Sequence, residues 1–395
     1  MTSGTAAQLK PLLQGITVVD MTHVLSGPYA TMILRQLGAR VIKVERPETG
    51  DDARAFGPFQ SGKSTYFTAL NCGKESIAID LEQASERDIL HALLRDADVL
   101  VENFRPGILQ RFGLDWESIR ARYPRLIYGS VSGFGQTGPY RDRPAYDIVV
   151  QAMSGLMSLT GQTGGAPTRV GVSVGDITAG LYLAIGLCAA LYERAHTGRG
   201  RRLDIAMLDC QIAILEDALT GYAATGVVPQ AQGSRHPSAA PFSAFRAADA
   251  YLVIAAANDA LFAKMCHALA RPDLLNDALY RTNALRRRHI DALTRELEIT
   301  LATRSAQAWI ERLRAEGVPC GPINDMSDVV TDAQLAARRM IVPVDGDRAG
   351  AFRVAGNPIK IDGVDDALLY PPAPELDADR SRLIGEFVTL EKDCS

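Results

Sequence analysis

The stretch GITVVDMTHVLSGPYATMILRQLGARVIKVE, residues 15–45, decides the fold class. Its first part, GITVVDMT (15–22), is a short apolar run with the length and β-branched content of a buried strand. A glycine-proline break follows at 27–28, and ATMILRQLGA (30–39) then has the length and apolar spacing of a helix. RVIKVE (40–45) predicts a second strand. Together these segments predict a β-α-β unit with parallel strands.

Further strands and helices continue this alternation over the first 225 residues. Apolar runs predict strands at 76–81, 98–103 and 126–133, and the amphipathic segment 86–97 predicts a helix. The fold class is therefore α/β, with a mostly parallel sheet covered by helices. Ligands of such sheets bind beside the carboxyl ends of the strands. The residues that follow the strands are therefore candidates for a binding site: Thr22–Ser26, Arg46, Asn103–Phe104 and Gly133–Gly138.

The character of the chain changes near residue 225, where a stretch rich in Pro, Ser, Gly and Ala indicates a linker or binding loop. Residues 1–225 are therefore expected to form a large domain. We expect a smaller α+β domain over 226–325, including this loop. Its predicted elements are a strand at 250–257 and helices within 258–270 and 284–313. The remaining segment, 326–395, has mixed character, and a late strand is expected within 356–363.

Composition excludes several classes of protein. With 395 residues, 47% of them hydrophobic, the chain is long enough for two cores. The formal net charge is −4, so the basic surface of a nucleic-acid binder is not expected. The six cysteines form no CxxC pair, which favours reduced thiols in a cytoplasmic protein. The N-terminus lacks the apolar core of a signal peptide, and the apolar segment 181–191 is too short to cross a membrane.

Two glycine-rich segments match phosphate-binding motifs without the surroundings that those motifs need. GPFQSGKS (57–64) fits the P-loop pattern, but GDDARAF before it predicts no strand, so a P-loop nucleotide-binding protein is kept only as an alternative. GFGQTG (133–138) follows a strand, but Pro139 and the polar residues after it predict no helix to face a pyrophosphate. A mobile loop that could cover an active site is the better interpretation.

The acid with the most suggestive surroundings is Asp176, which follows Gly175 and precedes a long apolar helix. Asp is a common N-cap residue, so one interpretation is purely structural. The other is that the carboxylate is a nucleophile, because aspartate nucleophiles are known and a helix N-terminus would keep the group ionised. In that interpretation Gly175 lets a substrate approach closely. Spacing alone leaves both interpretations open.

Several segments, in their order along the chain, resemble class III CoA-transferases. This family includes the formyl-CoA:oxalate, carnitine and succinyl-CoA:glutarate CoA-transferases and the related alpha-methylacyl-CoA racemases. The segments extend over nearly the whole chain: residues 13–54, STYFTALNCGKESIAIDL, DVLVENFRPGILQRFGLDW, YGSVSGFGQTGP, AYDIVVQAMSGLMSLTG, GDITAG, GSRHPSAAPFSAF, the ND at 258–259 and GVPCGPIND. The resemblance implies a Rossmann-like large domain to which residues 326–395 return, a central small domain, and an intertwined homodimer.

The resemblance also implies roles for individual residues. It assigns catalysis to Asp176, the aspartate of GDITAG. CoA binding is expected at Val24, Leu25, Ser26, Arg46, Ile79, Asn103, Phe104 and Arg111. Binding of the acyl group is expected at Tyr146, Asp147, His236, Gly133 and Gly135. Leu25-Ser26 and Pro144 stand where the formyl-CoA:oxalate enzyme has Gln-Ala and a lysine, which disfavours oxalate as the acceptor.

The predicted reaction is transfer of CoA from an acyl-CoA, with succinyl-CoA as the expected donor, to a small dicarboxylate such as itaconate, mesaconate or glutarate. The family resemblance implies that this exchange proceeds through an aspartyl-CoA thioester on Asp176, which needs no metal and no tightly bound cofactor. Neither nucleic acid nor a membrane is expected as a partner. A racemase is the alternative within the family. Racemases carry a histidine where Tyr146 stands here, and a phenol is a poor base at neutral pH.

Overall fold

The computed structural model describes residues 10–346 and 352–388, and its internal contacts divide the chain into two compact units. The larger unit consists of Met1–Leu156, Arg169–Ala224 and Ala333–Ser395, and the smaller unit of Met157–Thr168 and Thr225–Asp332. Residues 157–168 and 326–332 thus group with the smaller unit, whereas the sequence placed both stretches in the larger domain. The other predicted domain limits stay a prediction.

The strands are β1 (Thr17–Asp20), β2 (Arg40–Glu45), β3 (Phe59–Gln60), β4 (Lys63–Ser64), β5 (Glu75–Ala78), β6 (Val99–Glu102), β7 (Ile127–Ser132), β8 (Arg202–Ala206), β9 (Phe242–Arg246), β10 (Tyr251–Ala255), β11 (Cys320–Pro322), β12 (Ile341–Pro343) and β13 (Arg353–Ala355). The helices are α1 (Ser26–Gln36), α2 (Thr65–Asn71), α3 (Ala84–Asp96), α4 (Trp116–Arg122), α5 (Asp147–Met153), α6 (Leu156–Leu159), α7 (Val174–Thr197), α8 (Met207–Ala213), α9 (Ala218–Thr225), α10 (Asp259–Ala268), α11 (Pro272–Asn276), α12 (Asn283–Arg288), α13 (Ile290–Leu301), α14 (Ala306–Ala315), α15 (Met326–Val329), α16 (Ala333–Ala337) and α17 (Arg380–Phe387). Short 3-10 helices lie at Asp52–Ala55 and Leu109–Phe112.

The larger unit is built on a six-stranded sheet in the order β5-β2-β1-β6-β7-β8, in which every neighbouring pair is parallel. The central parallel sheet predicted from the sequence is therefore confirmed. The winding of the chain reverses between β1 and β6, which are neighbours in the sheet although β2 and β5 come between them along the chain. The loops that follow β1 and β6 leave the sheet side by side, at the place where ligands bind in such folds.

The two faces of the sheet have separate cores. Val18 and Val19 on β1 are both fully buried and belong to different clusters, since successive strand residues point to opposite faces. Val18 packs with the helices α1 and α7, through residues such as Leu34 and Leu187. Val19 packs with α3 and α17, which include Leu90 and Leu383. Helices therefore cover the sheet on both sides and hold its carboxyl edge in place.

The helix α1 begins at Ser26 and not after the glycine-proline break that the sequence suggested. Proline is tolerated in the first turn of a helix because its missing N–H would have no partner there, so Pro28 does not interrupt α1. Gly27 is required by packing: a Cβ there would lie 2.2 Å from the Thr22 side chain. The helix start is thus pressed against the loop after β1.

Two further differences concern strands. β8 was not predicted, because its residues Arg202–Ala206 are half polar and only partly buried. The late strand expected within 356–363 is wrong: β12 and β13 pair instead, and no strand is formed at 356–363. Gly356 lies tight against the backbone of Arg339, where a Cβ would be 2.1 Å from the carbonyl oxygen, and Pro358 lacks the N–H that a ladder needs.

The smaller unit contains the antiparallel sheet β11-β10-β9 and the helices from α10 to α14. Its core gathers Phe245 from the sheet with Phe262, Leu297 and Trp309 from the helices. The helical run predicted from 284 to 313 is three helices, and Ser305 caps the last of them by accepting from the Ala308 N–H.

Within the described residues, α7 is the one helix long and apolar enough to cross a membrane. It has 24 residues and so exceeds the 181–191 segment judged too short from the sequence. Half of its most apolar window is buried inside the protein, where Ala179, Leu183 and Leu187 belong to the core of the larger unit. Core helices meet the same length and composition criterion, so this helix is weak evidence for a membrane span.

The cysteines of the described residues are unpaired: Cys72, Cys188, Cys210, Cys266 and Cys320. Cys394 lies outside the described residues. Free thiols are compatible with the cytoplasmic location expected from the sequence, which stays a prediction.

Candidate active site

Residues from several strand ends meet at a cavity of about 470 Å³ in the larger unit. Its walls come from the β1–α1 loop (21–25), the loop after β6, the glycine-rich loop after β7, and the first turn of α7. The site residues singled out from the sequence that line this cavity are Val24, Leu25, Ser26, Asn103, Phe104, Gly133, Tyr146 and Asp176.

Asp176 is the third residue of α7 and lies in its first turn, so the interpretation as an N-cap is wrong; the N-cap position is Ser173. Burial is the main reason why the pKa of the Asp176 carboxyl is raised to about 7, and the nearby negative charge of Asp147 raises it further. The Ser26 hydroxyl acts in the opposite direction by hydrogen bonding to the carboxylate. We expected the helix N-terminus to keep the Asp176 carboxyl ionised, but desolvation raises its pKa and opposes ionisation.

Asp147 is buried at the start of α5 and does not line the cavity. Its carboxylate accepts from the Gly175 N–H at 2.7 Å and from the Gln151 amide at 2.7 Å, and Arg169 lies 3.6 Å away. A Cβ on Gly175 would lie 2.8 Å from Val150 and 3.0 Å from an Asp147 oxygen. Gly175 is thus required by the packing of α5 on α7 and not by the approach of a substrate. Asp147 orients the turn that carries Asp176.

The β1–α1 loop is tied to the loop after β6 by the side chain of Asn103. The Asn103 amide oxygen accepts from the His23 N–H at 3.0 Å, and the amide nitrogen donates to the His23 carbonyl at 2.8 Å. The same nitrogen lies 3.4 Å from the Ser26 hydroxyl. His23 packs against Phe104 with ring centroids 5.5 Å apart. The two loops therefore form one wall of the cavity.

Arg46 and Ile79 line a neighbouring cavity of about 390 Å³ that is mostly apolar. The two cavities share His23, Asp52 and Phe104, so one extended ligand could occupy both. Arg46 is ion-paired with Asp52. Arg111 lines neither cavity; it is exposed, lies over Phe112 and pairs with Glu82 at 3.4 Å. Phe112 and Glu82 belong to the second cavity, so Arg111 stands at its rim.

The remaining candidates for acyl recognition have different surroundings. Tyr146 is 78% exposed at the cavity mouth. Gly133 is required by close packing, because a Cβ there would lie 2.3 Å from that of Ala145. Gly135 does not line the cavity. The N–H of the residue after it, Gln136, donates to the Asp204 carboxylate and is therefore not available to a substrate.

His236 belongs to the smaller unit and is not among the residues that line the Asp176 cavity. Its ring packs on Phe242, and its Nδ1 accepts from the Ser238 N–H at 3.1 Å. A role in acyl recognition stays a prediction. Within residues 10–346 and 352–388, no three His, Cys, Asp or Glu side chains are placed to share a metal ion.

Several residues that line the cavity were missed from the sequence: Asp52, Arg105, Arg141, Arg143 and Met207. His23 also lines the cavity, and the sequence assigns it no role. The RDR triplet at 141–143 lies between the glycine-rich loop and Tyr146 and offered a signal, since clustered arginines beside a binding loop favour anionic ligands. Asp52 and Met207 carry no such signal.

Neither phosphate-binding motif forms the structure that it needs. Residues 57–64 form the two-residue hairpin β3-β4, whose turn residues Ser61 and Gly62 both have positive φ. Lys63 is paired with Glu375 on the surface. No helix follows 133–138, where turns and bends lead to α5. The P-loop alternative is therefore not supported by the fold.

Asp176 thus lies on the wall of a cavity at the reversal point of a parallel α/β sheet, where ligands of such sheets bind. The sequence profile described as CoA-transferase family III matches residues 13–380. The chain is 44% identical to the acetyl-CoA:oxalate CoA-transferase of Acetobacter aceti, over 99% of this chain and all of that protein. It is 36% identical to the succinate–glutarate CoA-transferase of Agrobacterium fabrum, over 97% of each chain. The crystal structure of a CAIB/BAIF family protein from Brucella suis superposes with a TM-score of 0.86 at 38% identity, covering 96% of this chain and all of that one. The chain belongs to CoA-transferase family III and is an enzyme that transfers CoA.

Proposed function

We propose that Asp176 is the nucleophile in the transfer of CoA from an acyl-CoA to a small dicarboxylate. The observation that carries this proposal is the position of its carboxylate on the cavity wall, hydrogen bonded to Ser26 and in a turn oriented by Asp147. No other carboxylate singled out from the sequence lines this cavity, and Asp52, which does, is paired with Arg46.

The cycle begins when the Asp176 carboxylate attacks the donor thioester, which forms an aspartyl–acyl anhydride and releases CoA thiolate. The thiolate then attacks the aspartyl carbonyl, which forms an aspartyl-CoA thioester and releases the donor acid. The acceptor carboxylate attacks this thioester, and the same two steps run in reverse. Covalent catalysis divides one difficult exchange into easier ones. Backbone N–H groups near the glycine-rich loop are proposed to stabilise each oxyanion, at roughly 3–4 kcal/mol for each donor; the Gln136 N–H is not one of them.

The charges of the cavity support anionic substrates. Arg105, Arg141 and Arg143 line it, against the acids Asp52 and Asp176. An excess of guanidinium groups suits both the phosphates of CoA and the carboxylates of a diacid. We propose succinyl-CoA as donor and glutarate, mesaconate or itaconate as acceptor. The Acetobacter relative, which is matched over its whole length, is named as an acetyl-CoA:oxalate CoA-transferase. Acetyl-CoA and oxalate are therefore also to be tested as donor and acceptor.

Substitution of Asp176 tests the proposal. Asp176→Ala is expected to lose at least about 1,000-fold in transfer rate, because the covalent route is removed. Wild-type enzyme incubated with acyl-CoA and hydroxylamine is expected to acquire a hydroxamate at Asp176, detected by peptide mass spectrometry. Asp209→Ala, which changes an exposed aspartate on α8, serves as the matched control and should keep wild-type activity. Retention of more than a few per cent of activity by Asp176→Ala would overturn the mechanism. Assays with pairs of donors and acceptors by mass spectrometry identify the substrates.

A further inference from the structure

The β1–α1 loop has an unfavourable backbone conformation at its centre. Val24 has a φ of +65°, in the left-handed region that β-branched residues avoid. Such conformations are unfavourable and persist only where the surroundings impose them. Val24 and Leu25 line the cavity, and Ser26, which interacts with Asp176, follows directly. Whatever imposes this conformation therefore also fixes the groups beside the nucleophile.

Asp51 supplies a direct contact with the strained residue. Its Oδ1 accepts from the Val24 N–H at 2.9 Å and from the Ala53 N–H at 2.9 Å. Ala53 belongs to the short 3-10 helix Asp52–Ala55, which precedes the β3-β4 hairpin. Its backbone N–H donates to Glu45 at 2.9 Å. Asp51 thus joins the wall of the Asp176 cavity to the segment that lines the neighbouring cavity.

Lys43 holds the Asp51 carboxylate in place through a buried ion pair. The Lys43 ammonium lies 2.8 Å from the second carboxylate oxygen of Asp51, and it also donates to the Thr22 carbonyl at 2.7 Å. Both side chains are almost completely buried. The cation lowers the pKa of Asp51 despite burial, so the carboxylate is ionised at neutral pH. A second buried pair, Lys74 with Asp20, lies 2.9 Å apart, and Asp20 accepts from the Thr22 N–H at 3.0 Å.

We propose that Asp51, held by Lys43, is a positioning residue for CoA transfer: it keeps Val24 in the left-handed conformation and so places Leu25 and Ser26 beside Asp176. This inference rests on the proposed role of Asp176. Asp51 lines the neighbouring cavity but not the Asp176 cavity, so its effect on Asp176 is exerted through the loop. A misplacement of about 1 Å in a group that orients a substrate costs about 100-fold in rate.

The test combines kinetics with hydrogen exchange in the full-length enzyme. Asp51→Ala removes the acceptor of the Val24 N–H and is expected to slow acyl transfer to the enzyme about 100-fold. Amide exchange in peptides covering 21–26 should become faster at the same time. Asp51→Asn keeps an acceptor oxygen and should remain within about 10-fold of wild type, with the loop still protected. If Asp51→Ala does not fold, Lys43→Met takes its place, since it removes the ammonium that pairs with Asp51 and donates to the Thr22 carbonyl.

Asp98→Asn is the control. Asp98 pairs with Arg194 at 2.6 Å and accepts from the Thr17 N–H at the opposite end of the strands. Its substitution removes the charge of a less buried ion pair and should leave the loop protected and the rate unchanged. The inference is overturned if Asp51→Ala, or Lys43→Met in its place, slows transfer no more than Asp98→Asn or leaves 21–26 as protected as in wild type. Failure of the proposed nucleophile would show differently, as activity retained by Asp176→Ala.

Discussion

At the scale of single residues, the surroundings of Asp176 oppose the state in which it reacts. A carboxylate must be ionised to attack a thioester, yet burial and the charge of Asp147 raise its pKa to about 7. The same burial strengthens a nucleophile once it is ionised, because a less hydrated carboxylate gives up less solvation on attack. Ser26 offsets part of the cost by hydrogen bonding to the ionised form.

This balance predicts the pH dependence of the first half-reaction. Since the ionised form attacks, kcat/KM for the acyl-CoA should rise with pH and level off above about 7. Asp147→Asn removes the negative charge but keeps an oxygen for the Gly175 N–H, so the pKa of Asp176 should fall and the rise should move to lower pH. Rate profiles between about pH 5 and 9 measure the shift, with Asp209→Asn as the control. A profile that stays in place, or moves to higher pH, would show that Asp147 does not act through its charge.

The same displaced pKa has a consequence for stability. A carboxyl whose pKa is about 7 when folded and near 4 when unfolded destabilises the fold as the pH rises between these values. Asp176→Asn removes the charge at nearly constant shape. We expect this variant to be more stable than wild type at pH 8, by up to about 4 kcal/mol, because each unit between the folded and unfolded pKa corresponds to about 1.4 kcal/mol, and to be equal to it near pH 4. Urea unfolding at both pH values provides the measurement. If the variant and wild type differ by the same unfolding free energy at pH 4 and pH 8, the effect comes from packing and not from the charge.

Individual site residues differ in how far the sequence could predict them. Residues that follow strands, such as Ser26 and Asn103, were predictable because parallel strands present their carboxyl ends at one edge. Asp176 could be singled out, but its role depended on the family resemblance. The contacts of Asp51 could not be predicted, since they join residues that lie 27 positions apart and depend on a buried lysine. The surroundings of Gly175 also depend on the packing of α5, which no local pattern contains.

At the scale of elements, α1 and α7 approach so closely that small residues are required between them. A Cβ on Gly180 of α7 would lie 2.7 Å from the Ser26 carbonyl oxygen and 3.2 Å from Tyr29. The packing of these two helices therefore sets the distance between the first turns that carry Ser26 and Asp176. The sequence predicted both helices from their apolar spacing. It could not predict their separation, because that depends on which glycine faces which backbone atom.

Gly180→Ala tests this contact. The added methyl meets backbone, which cannot move aside without moving α1, so the free energy of unfolding should fall by about 1–3 kcal/mol. Gly221→Ala in α9 is the matched control: a Cβ there meets nothing within 4 Å, and alanine should stabilise the helix by up to about 1 kcal/mol. Urea unfolding of both variants decides the matter. If Gly180→Ala is as stable as Gly221→Ala, the two helices do not require the glycine.

At the scale of the whole molecule, the sequence predicted the α/β class because five of the six sheet strands are apolar runs separated by helices. The order β5-β2-β1-β6-β7-β8 is a property of long-range pairing and was not deducible from local pattern. The order matters for function because it makes the loops after β1 and β6 neighbours. Asn103 could not otherwise bond to His23, which lies 80 positions earlier.

The surface of the larger unit supports the homodimer that the family resemblance implies. On α7, Leu181, Ile185 and Tyr192 are 42%, 66% and 73% exposed and fall on one face of the helix. Contiguous exposed apolar residues are uncommon on monomers and mark interfaces. A single exposed apolar residue among polar neighbours, such as Ile299 on α13, does not have this meaning.

We therefore expect the enzyme to have twice the 42.6 kDa mass of one chain in analytical ultracentrifugation. Ile185→Asp places a charge on the apolar face of α7 and should shift the mass toward one chain, because burial of an unpaired carboxylate in an interface is costly. Ile299→Asp changes a residue of the same type and the same 66% exposure, and should leave the mass unchanged. Circular dichroism establishes that both variants are folded. A folded Ile185→Asp variant that keeps the wild-type mass, or a wild-type enzyme with the mass of one chain, would exclude the face of α7 as the subunit contact.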